Sequence, residues 1–578
     1  MSSDVANSQL TWDAIVVGAG VGGLVCAGYL AASGRRVLVL EQHDVAGGNG
    51  HAFRRRRAYQ FDVGVHYLGD CGPDGILPAI LNGLGLRDRV RFLEMDADGF
   101  DRIIMPSLTV DVPAGWSRYR ERLVSALPQE AAGITEFTSI CENIAEAVRC
   151  SLISAHGPAP VAGRRRDMRW GRRSLAELFD HCALSPVART ALAAQSGNYG
   201  AAPCDVSVST HAMVTDHYLR GAYFPAGGGP AIIASLVEVL ESHGGELWTR
   251  CRAKSISLDD GGVGGVELAD GRRLTAPIVI SNADYLRTII ELCDDGAGFP
   301  PDLVARAKAS TMRLGLAVLY LALDIPQPEM PNANIWWHAT EDIEKSYARL
   351  HEGIWDELPF VFISFASIKE GDGGAGCPAG HSNLQVMALC PPGFEMWGVQ
   401  AGPADGVRYR RDSAYLAAKR RLTEAMLTAA EAALGPVRDH IVHMEAATPL
   451  THERYTLGTG GTPYGLSRWG PPGGRPDVRP DVATSVPGLY VVGQSTRFGS
   501  GIAGVAISGI MCAGQILGRP LLPQVYAGAT LADPSLLPDR TDGWDPLAVS
   551  RGQGRRTARG LARIGQAGPS PRPLARAG

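Results

Sequence analysis

The chain contains no Cys-x-x-Cys pair and no His-Glu-x-x-His, although it holds eleven cysteines and fourteen histidines. That scatter argues against a zinc site, and no metal centre is expected. The odd cysteine count argues against a disulfide framework and for free thiols in a reducing compartment. No apolar run approaches the ~18–20 residues of a membrane-spanning helix. Residues 1–7 (MSSDVAN) show no basic segment leading into an apolar one, so no signal peptide is expected. The formal net charge of −4 gives no global attraction to nucleic acid. A cytoplasmic protein is the resulting expectation, with peripheral membrane contact left open. With 45% hydrophobic and 20% charged residues over 578 positions, the chain is globular and long enough for more than one domain.

Its most informative stretch is residues 13–23 (DAIVVGAGVGG). Ala14 to Val17 is an apolar run fit for a buried parallel strand. Gly18, Gly20 and Gly23 follow with Gly-x-Gly-x-x-Gly spacing, and Leu24 to Ala32 reads as a helix. Val37 to Leu40 reads as a second buried strand, ended by Glu41. Gly18 permits the tight turn, Gly20 lets backbone approach a pyrophosphate, and Gly23 lets helix and strand pack closely. The helix N-terminus offers unpaired N–H groups to phosphate, and Glu41 can accept hydrogen bonds from ribose hydroxyls. The alternative is a glycine-rich turn without a ligand.

Residues 71–220 are mostly helical in pattern, as in Arg118 to Leu127 and Thr135 to Ala147. Arg164–Arg166 and Arg172–Arg173 flank Trp170 in an expected surface loop. A glycine-rich turn spans 221–230, with a helix from Ile232 to Ser242. Ala253 to Leu258 and Val263 to Leu268 bracket residues 259–262 (DDGG), a hairpin signal. Further strands are expected over Leu314–Leu323, Phe360–Phe365 and Leu384–Leu389, and a long helix over Ala414–Leu434. After about residue 525 the pattern dissolves, and from Arg551 onward no acidic residue occurs. A disordered tail is expected there, with a basic arm for acidic lipid or a partner as the alternative.

Residues 487–505 (PGLYVVGQSTRFGSGIAGV) form a second strand–glycine–helix unit at the far end of the chain. One ligand held at both ends of a chain suits a long molecule such as FAD.

Taken together, these motifs resemble the flavoprotein family of bacterial phytoene desaturases, carotenoid isomerases and retinol saturases. The matching stretches are the N-terminal fingerprint, residues 47–49 (GGN), 61–67 (FDVGVHY), 221–229, 281–284 (SNAD), 447–451 (ATPLT), 458–465 and the C-terminal unit. They extend to about residue 520. The resemblance implies an α/β fold: a Rossmann-like, three-layer FAD-binding domain with a parallel sheet and an interleaved α+β substrate domain. The expected boundaries are 8–75, 222–290 and 482–525 for the FAD domain, 76–221 and 291–481 for the substrate domain, and 526–578 for the tail. It also implies FAD contacts from Gly18, Gly20, Val21, Gly22, Gly23, Glu41, Gln42, Gly48, Asn49, Gly493, Gln494, Gly501, Ile502 and Ala503. An adenine-side backbone contact is implied at Ala253, where the family usually has valine. Gln494 stands where the family often has an acid, and Phe498 and Ala503 where it often has proline.

The implied activity is FAD-dependent desaturation or saturation of C–C or C=C bonds in a hydrophobic polyene, isoprenoid or polyketide-like substrate. A redox-neutral polyene isomerase using reduced FAD is the alternative, and a non-catalytic polyene-binding protein a remoter one. An amine substrate is remoter still. No second fingerprint for a nicotinamide is visible, so the electron acceptor is not indicated. His66 and Arg497 are the catalytic candidates; the alternatives are a core histidine and a structural ion pair. Tyr199, Tyr223 and Phe498 are candidates for the substrate pocket, as is His217, with core packing as the alternative for the two tyrosines and His217. Trp336, Trp337, Trp355 and Trp397 are candidates for an apolar tunnel or for the core. Arg54–Arg57 is a candidate phosphate contact or a solvated patch.

Overall fold

A computed structural model describes residues 12–154, 167–259, 261–326, 330–353, 355–370, 376–468 and 479–552. The strands Ala14–Val17 and Val37–Leu40 are buried at every position. Uninterrupted apolar runs require this when both faces of a parallel sheet are covered. They pair in parallel, Ala14 opposite Val37 and Val17 opposite Leu40. Glu246–Trp248, Val279–Ser281 and Leu489–Val491 join them, all parallel. From edge to edge the strands begin at 246, 37, 14, 279 and 489. In chain order that is 3-2-1-4-5, the dinucleotide-binding arrangement, which binds its ligand where the order reverses. Here the reversal lies between Ala14–Val17 and Val279–Ser281.

Alternation of side chains divides each strand between two cores. Val16, Val39 and Ile280 pack against the helices Val21–Ala32, Gly229–Ser242 and Gly501–Leu517. Ile15, Leu38 and Val279 pack against the antiparallel sheet Ala253–Asp259, Gly262–Leu268 and Arg273–Thr275. The result is a three-layer α/β unit assembled from three separated stretches of chain.

The largest sheet has seven strands, running in space from Ile441–Ala447 through Gly315–Leu323, Ser382–Cys390, Phe360–Ser364, Asn334–His338 and Asp101–Ile104 to Thr109–Val112. All neighbours are antiparallel except Asn334–His338 with Asp101–Ile104. Leu316, Val318 and Tyr320 face the core that includes Ala131–Ile153 and Val208–Leu219, while Ala317, Leu319 and Leu321 face the long helix Ser413–Leu434.

The expected start of the disordered tail is corrected. Residues 526–552 pack against the α/β unit. Arg540 Nη2 and Trp544 Nε1 each donate to Glu238 at 2.7 Å, and Ala46 N donates to Ser550 O at 2.8 Å. Ala532, Leu537 and Leu547 are buried. Such a strap needs only isolated anchors, so it has no apolar periodicity to read. Residues 553–578 lie outside the described residues, as do Arg164–Arg166. Trp170 is buried rather than surface-exposed, with Arg173 over its ring. No helix among the described residues is long and apolar enough to cross a membrane.

Candidate functional site

A cavity of about 650 Å³ runs along the reversal point of the parallel sheet into the space under the seven-stranded sheet. Its first wall is the fingerprint turn. Gly18 holds φ +99°, which suits glycine. A Cβ at Gly20 would lie 2.6 Å from Asn282 Nδ2, and one at Gly48 would lie 3.3 Å from Gly20 Cα. Glycines at 18, 20, 47 and 48 thus leave backbone facing the cradle between residues 18–22 and 47–50. Asn282, just beyond the strand Val279–Ser281, ties it together by donating from Nδ2 to Gly18 O at 3.2 Å.

Two helices present their N-termini to this cavity. Val21–Ala32 begins at Gly20 and Gly501–Leu517 at Ser500, and neither has a side-chain cap bond. Their first N–H groups are free for an anion or carbonyl. Glu41 closes the far end of the second strand. Its Oε2 accepts from Ala19 N at 2.9 Å and its Oε1 from His43 N at 2.8 Å. Burial raises its pKa, and the backbone bonds from His43 and Ala19 oppose that rise. The carboxylate keeps lone pairs for a further donor. Glycine cradle, two uncapped N-termini and a buried carboxylate together fit an elongated dinucleotide such as FAD.

Most of the expected cofactor residues lie on this wall: Gly18, Gly20, Val21, Gly22, Glu41, Gln42, Gly48, Asn49, Ala253, Gln494, Gly501, Ile502 and Ala503. Two do not. A Cβ at Gly23 would meet Gly18 O at 2.5 Å, so that glycine serves helix-to-turn packing. Gly493 is held by its N–H to Ser508 Oγ at 2.9 Å.

The other end of the cavity is aromatic. Tyr67 stacks on Tyr218 with ring centroids 4.1 Å apart, and Trp336 on Phe362 at 4.2 Å. Leu316, Met387 and Leu389 complete this wall from the seven-stranded sheet. Behind it sits Asp101, fully buried, which accepts from Tyr67 OH at 3.0 Å, Asn334 Nδ2 at 2.8 Å, Trp336 Nε1 at 3.1 Å and Gln195 Nε2. Burial raises the Asp101 pKa to about 6, against those hydrogen bonds. Asp101 thus fixes two rings of the wall from the outside.

His66 faces the same space, edge-on to Phe362. Among the described residues, neither ring nitrogen has a hydrogen-bond partner of normal geometry. Burial and then the positive charge of Lys369 push its pKa down to about 3. It is a neutral imidazole at neutral pH. Lys369 is itself buried and lowered to about 7, with Asp101 and Asp62 opposing. Burial raises Asp62 to about 8 despite its bond from Gly229 N.

Several expected side chains are elsewhere. Arg497 is outside the lining, half-exposed; it pairs with Asp481 at 2.9 Å and lies over the Phe498 ring, 4.5 Å from its centroid. Its neighbour Phe498 does line the cavity. Tyr199 is buried behind the wall with its OH 3.2 Å from His211 Nδ1. Tyr223 is absent from the lining and packs by Gly72 and Gly221. Tyr218 stands where those two tyrosines were expected. Of Trp336, Trp337, Trp355 and Trp397, Trp336 alone lines the cavity; Trp355 and Trp397 pack on each other at 4.5 Å. Arg54 and Arg55 bind Asp545 and Glu445 instead of a phosphate site. His217 is on the wall, with Nε2 accepting from Gly69 N at 2.9 Å.

Asn282, Tyr67, Tyr218 and Asp101 were not singled out from sequence. Asn282 and Tyr67 fall in the 281–284 and 61–67 stretches, which were marked by resemblance alone. Nothing in the sequence marks Asp101, because its four donors come from residues 67 to 336.

Fold and cavity define a dinucleotide-dependent α/β oxidoreductase whose ligand meets an apolar compartment. The chain belongs to the family of flavin containing amine oxidoreductases, whose model matches residues 21–346. It is an FAD-dependent enzyme. It is 27% identical over 544 residues to the all-trans-retinol 13,14-reductase of Danio rerio, covering 89% of this chain and 87% of that protein. It is 28% identical over 517 residues to the chloroplastic prolycopene isomerase of Arabidopsis thaliana, covering 87% and 82%. Among solved structures, an oxidoreductase from Methanosarcina mazei shares the fold at TM-score 0.59 and 17% identity, with 88% of this chain and all of that one covered. The cyclohexylamine oxidase of Brevibacterium oxydans does so at TM-score 0.54 and 16% identity, with the same coverage.

Proposed function

We propose that this enzyme saturates or desaturates C–C bonds of a hydrophobic polyene. The observation that carries the reading is the continuity of the glycine cradle with a compartment walled by Tyr67, Tyr218, Trp336, Phe362, Leu316 and Met387. Such a compartment excludes water and accepts a flat, conjugated chain. Similarity to a retinol reductase and a carotenoid isomerase supports the same substrate class.

Gly18 to Gly22, Gly48 and Glu41 would hold the adenosine and pyrophosphate of FAD, with Ala253 by the adenine. Gln494 and residues 501–503 would hold its flavin half. Bound flavin supplies hydride exchange at the substrate carbon. The protein's part is to orient and to dry the site. Asp101 fixes the Tyr67 and Trp336 rings, Phe498 covers the edge, and neutral His66 offers a polar contact without a charge. As a neutral imidazole His66 is a poor acid, so a proton required in saturation enters by another group or water.

Similarity to prolycopene isomerases supports the redox-neutral isomerase as the second reading. Product mass decides between the two. Purified holoenzyme is incubated anaerobically with candidate polyenes, with flavin oxidised or reduced. A gain or loss of two hydrogens supports the oxidoreductase reading. A product of unchanged mass and altered geometry supports the isomerase. No conversion of any polyene under either condition overturns both.

A further inference from the structure

One arm of the cavity is closed by the helices Ala131–Ile153 and Val208–Leu219. Its walls are apolar, from Leu68, Ile76, Leu152, Met213 and Val214. Yet two charged side chains also line it. Arg149 Nη1 donates to Asp216 Oδ2, and Asp216 Oδ1 accepts from Trp116 Nε1 at 2.9 Å. The two side chains are only 18% and 7% exposed. Among the described residues, the Arg149 guanidinium has no partner besides Asp216. Its remaining N–H groups and the free lone pairs of Asp216 thus sit beside each other in one apolar arm.

The surroundings narrow what can dock there. Arg220 pairs with Asp70 at 2.7 Å close by. Burial lowers the His217 pKa, against Asp70 and Asp216, so that ring is neutral. Asp70 on the wall is thus balanced by Arg220, and Asp216 by Arg149. A buried ion pair costs desolvation that a packed apolar pair would avoid. Its presence on a cavity wall points to recognition of a ligand group. A carboxylate would bring an uncompensated charge into this balance. A hydroxyl brings none, and it can accept from Arg149 while donating to Asp216.

We propose that Arg149 and Asp216 form the recognition site for a terminal hydroxyl on the polyene, selecting an alcohol over the matching hydrocarbon or acid. This rests on the polyene reading above, and it assigns substrate choice to a pair outside the cofactor cradle. Tyr218, one turn from Val214 on the same helix, links this arm to the aromatic wall through its stack on Tyr67.

The test uses purified holoenzyme and three probes with one conjugated chain, ending in –CH2OH, –CH3 or –COO⁻. Affinity is read by quenching of tryptophan fluorescence, and conversion is read separately by mass. The alcohol is expected to bind about ten-fold or more tighter than the other two, since a site built for a hydroxyl is left unpaired without it. Arg149→Met and Asp216→Asn are expected to reduce that preference below about three-fold by weakening the alcohol alone, with flavin content unchanged. Equal affinities in the unaltered protein overturn the proposal without any variant. So does tighter binding of the acid, or an alcohol preference that survives both substitutions. An alcohol bound through Arg149 but never converted leaves this site standing and defeats the reaction reading. Conversion with no dependence on Arg149 defeats only this site.

Discussion

Glu41 shows how one side chain carries two duties. Its carboxylate already holds the N–H groups of Ala19 and His43, and so fixes the fingerprint turn against the second strand. Glu41→Ala is expected to weaken FAD by about 1.5–3 kcal/mol, the scale of hydrogen bonds to a charged group. It should also lower the melting temperature of the apoprotein, because the buried Ala19 N–H and the part-buried His43 N–H lose their acceptor. Titration of apoprotein with FAD, alongside thermal melts, checks both. Arg497 is the contrasting case. Its pairing with Asp481 is exposed, and pairs of that kind contribute roughly 0–1 kcal/mol. Arg497→Ala is expected to leave flavin content, reduction potential and turnover near those of the unaltered enzyme. A shifted potential would return Arg497 to the active site.

Among the elements, the contact of Val21–Ala32 with Gly501–Leu517 decides where both uncapped N-termini stand. The helices meet backbone to backbone: a Cβ at Gly509 would lie 2.4 Å from Gly22 O, and one at Gly22 would lie 3.0 Å from Val505 O. Gly509→Val must push them apart. Overpacking of this kind costs about 1–3 kcal/mol. The expected result is a lower melting temperature together with a lower flavin-to-protein ratio. A destabilised variant with full flavin occupancy would separate the crossing from cofactor binding. The strap 526–552 is the second such element. A chain ending at Tyr526 loses Arg540 and Trp544 from buried Glu238 and leaves it Arg89 at 3.7 Å; stripping partners from a buried charge costs up to about 3–5 kcal/mol. It is expected to melt well below a chain ending at Gly552, which keeps every described contact. Equal melting of the two would show the strap to be passive.

For the whole molecule, buried titratable groups set the response to pH. Burial holds His66 at about 3 and His51, His211, His338 and His452 at about 4, all below the usual 6.5. Between about pH 4 and 6.5 the unfolded chain takes up protons that these folded histidines refuse, so stability is lost as pH falls through that window. Asp62, raised to about 8, and Asp101, raised to about 6, act oppositely: the folded form keeps protons that the unfolded form releases. Five groups outweigh two. The melting temperature of FAD-saturated enzyme is expected to fall steadily from pH 6.5 to 4.5. A melting temperature that rises on acidification would show the histidines charged in the fold.

The sequence determined what depends on neighbours in the chain. The run Ala14–Val17, the spacing of Gly18 and Gly20, the helix behind them and Glu41 lie within thirty residues, so their order alone dictates a strand, a turn and a helix N-terminus. The hairpin at 253–268, the strand Gly315–Leu323 and the helix Ser413–Leu434 were legible for the same reason, through period and composition. Tertiary structure alone decided which side chains face the cavity. Tyr199 and Tyr218 stand in the same helical region, yet only Tyr218 reaches the wall, because Tyr67 waits there to stack on it. Arg497 and Phe498 are adjacent, yet only the phenylalanine lines the cavity, while the guanidinium lies over that ring and pairs with Asp481. Asp101 acquires its role only when residues 67, 195, 334 and 336 converge on it. Facing and burial are set by partners hundreds of residues away, and a local pattern carries no record of them.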